Sequence, residues 1–206
     1  MQRRSFLVLA GLLPGATAWA QASLRPDPTP RLPPQPGQGL PLEDRRFLRD
    51  ALALSRAEAE AAGRAEGQGG EEVRRFAATV AGRHRRLAQQ IEALARERNA
   101  GVAEGEAAPG VARALRLLAA PGQAAGDAER GFLAAQLEIH PTLAALYQAQ
   151  ASQTTDRDLA RLAITALAGI QEDFAAATRL GAPLGLAPPE RTIANPPQYG
   201  TAPSSR

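Results

Sequence analysis

Residues 71–98 read EEVRRFAATVAGRHRRLAQQIEALARER. Val73, Phe76, Val80, Leu87, Ile91 and Leu94 recur there at steps of three, four and seven, the spacing of one face of an α-helix. Gly67-Gln68-Gly69-Gly70 precedes the run and Asn99-Ala100-Gly101 follows it, so a single helix is predicted over 71–98.

The same period continues on both sides. Upstream, Phe47, Ala51, Leu54, Ala61 and Ala65 form a stripe over 42–66. Downstream, Leu133, Leu137, Leu143 and Tyr147 form one over 123–152; Pro141 inside it removes a backbone hydrogen bond and predicts a kink. A last stripe, Leu159, Leu162, Ala166, Ile170, Ala177 and Leu180, covers 155–180. It opens on Thr155-x-x-Asp158 in the manner of a capping box and closes at Gly181-Ala182-Pro183. Strand signals are absent. The first and last pairs of helices are joined by short turns. Between the second and third lies a long link holding a small amphipathic helix, with Val111, Leu115 and Leu118 between Pro109-Gly110 and Pro121-Gly122. Two hairpins and one long crossover predict an all-α fold, a ferritin-like four-helix bundle over 41–181.

Both flanks are proline-rich. Residues 21–40 and 182–206, the latter with Pro188-Pro189 and Pro196-Pro197, carry too little apolar surface to offset the entropy of ordering. They are expected to be a disordered linker and a disordered tail.

The first 20 residues have another character. Arg3-Arg4-Ser5-Phe6-Leu7 leads into an apolar run ending at Leu13, then Pro14 and the small-residue site Ala18-Trp19-Ala20 before Gln21. That order predicts a cleavable signal peptide, and the paired arginines favour the twin-arginine form read by that export machinery; a general secretory signal with two arginines in its n-region is the alternative. The expected location is periplasmic or secreted. Phe6 to Leu13 is far shorter than the roughly 20 residues of a membrane span, and the mature chain is expected to lack a transmembrane segment. Trp19 and Met1, the only residues of their types, belong to the signal.

Composition narrows the partners. The 206 residues hold no Cys, so neither a disulfide nor thiol chemistry is available. The isoelectric point near 10.4 reflects that every cation is Arg, which does not titrate in the ordinary range. Without Arg3 and Arg4, 22 arginines face 21 acids, which is no footprint for nucleic acid. Arg74-Arg75 and Arg83 to Arg86 read as a solvated face balanced by Glu71 and Glu72. There is no Gly-rich phosphate loop, nucleophile elbow or zinc-ribbon spacing, and an enzyme is not the expected reading.

Each long helix nevertheless places one polar residue on its apolar stripe: Glu58, His84, His140 and Asp173. Ionisable groups are seldom buried unless paired or bound to metal. In a bundle with parallel second and third long helices, the carboxylates and imidazoles lie within roughly 6–10 Å in height. Their side chains lean towards one another. A mixed His and carboxylate set suits Fe, Mn or Zn. The usual di-iron Glu-x-x-His pair is missing, since Ala81 and Leu137 stand three residues before the histidines, so the set fits a mononuclear site. Pairing of Glu58 with His84, and of Asp173 with His140, is the alternative that needs no metal.

Phe47, Glu58 and Ala65, then Val73-Arg-Arg-Phe76-Ala77 and His84, then Phe132 and His140, then Leu167 and Asp173 are spaced as in the DUF4142 family, which this chain resembles over roughly 42–180. The resemblance implies an exported bacterial protein with a ferritin-like bundle. The family pattern carries Asp where Arg83 stands, Tyr where Phe132 stands and His where Asp173 stands. Two functions remain open: an envelope module whose helical surface or proline-rich ends bind a protein partner or a second copy, and a metal-binding protein.

Overall fold

The computed structural model describes residues 39–100, 105–119 and 128–189. The proposed signal peptide and most of the proline-rich flanks lie outside them. Among the described residues the chain forms α1 (Leu42–Ala65), α2 (Glu71–Glu97), α3 (Pro109–Ala119), α4 (Ala128–Gln153) and α5 (Arg157–Gly181), followed by one turn of 3-10 helix, Ala182–Leu184. The all-α expectation holds. The four-helix bundle does not: there are five α-helices, because the crossover is part of the core. Val111, Ala114 and Leu118 of α3 are buried with Phe47, Leu143 and Tyr147, and α3 packs on both α1 and α4. An amphipathic segment with an unburied stripe has to find a face to cover, and the α1–α4 seam supplies it.

Consecutive long helices pack as α1 on α2 and α4 on α5; α2 meets α5 and α1 meets α4. Local chemistry sets the ends. Asn99 takes a left-handed conformation at φ 46°, and the Ala100 N–H reaches back to the Ala95 carbonyl, closing α2. In the α1–α2 turn Gly69 has φ 80°, and the Gly70 N–H donates to Glu129 Oε2 of α4 at 2.7 Å. The N-cap of α5 is Asp156, not Thr155: its carboxylate accepts from the N–H groups of Asp158 and Leu159. Arg98, at the end of α2, clasps the same carboxylate at 2.7 Å. α4 continues as helix through Pro141.

Two apolar clusters form the interior. The larger includes Phe47, Leu54, Ile91, Leu143, Tyr147 and Leu159; the smaller includes Ala62, Phe76, Val80, Phe132, Leu137 and Ala177. Leu40, Leu184 and Leu186 also pack against these clusters, so the folded domain begins before residue 41 and continues past 181. No helix among the described residues is long and apolar enough to cross a membrane.

Candidate functional site

Between the two apolar clusters every long helix contributes a polar side chain to one buried layer. Glu58 follows Leu54 and precedes Ala62 on α1; His84 separates Ala81 from Leu87 on α2. Gln136 and His140 stand one turn apart on α4, and Asp173 lies between Ile170 and Ala177 on α5. All five are 2 % exposed or less. The sequence stripes thus place Glu58, His84, His140 and Asp173 in the interior, as expected. Gln136 was missed, although it too sits on the α4 stripe, between Leu133 and His140.

Gln136 organises the layer. Its side-chain amide donates to Glu58 Oε2 at 2.9 Å, joining α4 to α1. Its backbone carbonyl lies 2.7 Å from His140 Nδ1. A carbonyl only accepts, so Nδ1 carries the imidazole proton and Nε2 keeps its lone pair. The His140 ring is stacked near Phe174 at 6.3 Å between centroids.

Neither expected carboxylate–imidazole pair forms. Both ring nitrogens of His84 are buried without a hydrogen-bond partner, as are His140 Nε2 and Glu58 Oε1. Asp173 is matched to Arg83 instead, with Oδ2 3.4 Å from the Arg83 Nε; the same guanidinium bonds Glu172 at 2.9 Å. Arg83 and Asp173 thus form an ion pair between α2 and α5. Among the described residues no three His, Asp or Glu side chains enclose a point as closely as metal ligands do.

Burial governs the protonation states. It pushes the Glu58 carboxyl up to about 7, against the Gln136 hydrogen bond and with help from the Asp173 charge. It drives His84 down to about 3, with His140 and Arg83 adding to the effect. It also takes His140 down to about 4, opposed by the Gln136 carbonyl. Asp173 rises to about 6 through burial, partly offset by Arg83. At neutral pH both imidazoles are neutral, with lone pairs available.

Other buried acids are fully engaged. Asp44 accepts from Gln150 at 2.6 Å and from Thr154 at 3.0 Å, pinning α1 to the end of α4. Asp50 accepts from Arg49 at 2.7 Å and lies near the Ala108 N–H ahead of α3. These groups hold helices together and leave no acceptor pointing at a vacant partner.

Comparison with known proteins adds the lineage. Residues 29–180 match the family model described as "Domain of unknown function (DUF4142)". No curated protein matches the sequence. Among solved structures the chain is similar to the crystal structure of a DUF305 fragment from Deinococcus radiodurans, with a TM-score of 0.58 and 16% identity over 72% of this chain and 99% of that one. At that identity the likeness concerns the fold alone.

Proposed function

The chain belongs to the DUF4142 family, matched over residues 29–180, and from that premise we propose an exported helical domain that serves the cell envelope as a structural or interaction module. The observation that carries this reading is the placement of one folded unit between two proline-rich sequences. The five-helix domain lies within 39–189. Before it runs Pro26-Asp-Pro28-Thr-Pro30 through Pro36, and after it Pro188-Pro189 and Pro196-Pro197. Proline-rich segments lose little conformational freedom on binding, which suits them to contacts in which a folded body is displayed or tethered. Export is supported by Arg3-Arg4 and by the small-residue site ahead of Gln21.

The outer surface fits a domain built for persistence. Arg56–Glu92, Arg64–Glu60, Arg85–Glu66 and Arg161–Asp158 pair along and between helices. Such exposed pairs each add little stability but keep the surface soluble and charge-balanced.

The test is made on protein recovered from the envelope fraction of its native cells. The expected mass starts at Gln21, and Arg3→Lys with Arg4→Lys retains the chain in the cytoplasm. Deletion of residues 22–38 is expected to release the mature protein from cross-linked envelope complexes without lowering its melting temperature. A chain that keeps Met1 and stays in the cytoplasm overturns the proposal.

A further inference from the structure

We propose that the buried polar layer binds one first-row divalent transition-metal ion, through Glu58 Oε1, His140 Nε2 and one ring nitrogen of His84. This goes beyond the envelope role and rests on different atoms.

The argument begins with what is left unbonded. An unpaired polar atom in an apolar interior is destabilising, because it has lost water and gained no partner. Here Glu58 Oε1 and three imidazole nitrogens stand in one layer without hydrogen-bond partners, as do Gln136 Oε1 and Asp173 Oδ2. The residues that bear them are at most 1 % exposed and come from α1, α2 and α4. Two apolar clusters close the layer above and below. Nothing in the fold requires polar groups at that level.

The bonds that are made point the same way. Ligating histidines characteristically give their second ring N–H to a backbone carbonyl, which fixes the tautomer and aims the other nitrogen; ligating carboxylates are themselves hydrogen-bonded. Gln136 does both. Its carbonyl takes the Nδ1 proton of His140, and its amide holds Glu58 Oε2. Each contact occupies one atom of a potential ligand and leaves the other open.

His84 differs because no hydrogen bond fixes its ring. The set does not enclose an ion as it stands, so the His84 ring has to turn towards His140 and Glu58 when a metal enters. Asp173 is left out of the set because its charge is balanced by Arg83, whose Nε lies 3.4 Å from Oδ2, although Oδ2 accepts no hydrogen bond. This narrows the four sequence candidates to three. Two neutral imidazoles and one carboxylate suit Fe(II), Mn(II) or Zn(II), with water in the remaining positions.

The test uses the full mature chain, stripped with chelator and dialysed against Zn²⁺, Mn²⁺ or anaerobic Fe²⁺, with elemental quantification. At least one of these metals is expected to bind at one ion per chain. His84→Ala and Glu58→Gln are each expected to weaken binding at least about 100-fold, and Gln136→Ala roughly 10- to 100-fold through loss of ligand orientation. Asp173→Asn and the exposed control Arg86→Ala should bind as wild type. Circular dichroism confirms the fold of each variant. Imidazole nitrogen NMR of the unmutated protein gives a readout that depends on no variant. Zn²⁺ should shift His140 Nε2 and one His84 nitrogen while the His140 Nδ1 proton stays in place. Sub-stoichiometric binding of all three metals at millimolar concentration overturns the proposal, since water then suffices for the layer. So do unmoved imidazole signals, or loss of binding in Asp173→Asn equal to that in Glu58→Gln.

Discussion

Arg83 reaches from α2 to α5 and sets its Nε 3.4 Å from the Asp173 carboxylate, passing directly over Gly169. A Cβ at 169 would overlap the guanidinium and stand 3.0 Å from the Arg83 Cδ. Gly169→Ala therefore has two opposed effects. It stiffens α5, which is worth roughly 0.5–1 kcal/mol in a helix interior, and it displaces Arg83. The expected outcome is net destabilisation in the wild type but stabilisation in an Arg83→Ala background. Urea melts of the four proteins of that cycle check it, with a coupling on the order of 1 kcal/mol. Equal effects in both backgrounds would mean that Arg83 moves aside at no cost.

Asp156 joins a helix cap to an ion pair. Burial alone would raise its pKa, but the Arg98 hydrogen bonds and the N–H groups of Leu159 and Asp158 outweigh burial and hold it below the ordinary value of 3.8. With the folded pKa below the unfolded one, the contribution is present above the unfolded value and is lost as pH falls through the folded one. Asp156→Asn keeps a capping oxygen and removes the charge. It should cost about 1 kcal/mol at pH 7, with the gap from wild type closing below about pH 4. Asp156→Ala should cost about 1 kcal/mol more, through the lost cap.

Phe76 is buried in the smaller cluster, its ring centroid 5.8 Å from that of Phe132. Phe76→Ala should cost roughly 3–5 kcal/mol by thermal or chemical denaturation. Tyr147 offers the contrary case. Its ring packs edge-on against Phe47 at 5.3 Å, and its buried hydroxyl faces only the Ser55 hydroxyl, short of good hydrogen-bond geometry. Tyr147→Phe keeps the packing and removes a hydroxyl held only weakly by Ser55, so it is expected to change stability by less than about 1 kcal/mol. A loss above 1 kcal/mol would reveal a hydrogen bond from that hydroxyl.

Truncation locates the end of the domain. Leu184 and Leu186 pack on the smaller cluster, the Leu186 N–H bonds the Gly181 carbonyl at 3.0 Å, and Arg130 bonds the Leu184 carbonyl. A chain ending at Gly181 should melt several degrees below one ending at Pro189, since 1 kcal/mol is worth roughly 2–8 °C across domains of this size range. Equal melting temperatures would show that the 3-10 turn only rests on the surface.

The helices were legible because their apolar residues fall on single stripes; α1 and α2 begin where the spacing of Phe47 and Val73 implies. α3 was legible as a helix but not as a core element. Periodicity shows that Val111 and Leu118 share a face and says nothing of which surface covers it. The interior position of Glu58, His84, His140 and Asp173 could be read from the same stripes. Their partners could not, since a hydrogen bond between α1 and α4 depends on the rotation of each helix. Arg83 illustrates the difficulty. In sequence it belongs to an arginine-rich exposed face, and only the proximity of α5 and the missing side chain at Gly169 draw it onto Asp173. The packing of Leu184 and Leu186 beyond Gly181 was not legible, because they are two isolated apolar residues among prolines and glycines, too few to register as a stripe.

The polar layer takes Glu58 and His84 from the α1–α2 hairpin, and Gln136, His140 and Asp173 from the α4–α5 hairpin. Each hairpin is local in sequence and is suited to form quickly by itself. Neither contains the layer. Those groups come together only when the two hairpins dock, and until then water solvates them all. The desolvation cost therefore falls on the docking step. Any ligand of the layer recognises only the docked form, so it would prolong the native lifetime by slowing separation of the hairpins while leaving their own formation rates unchanged.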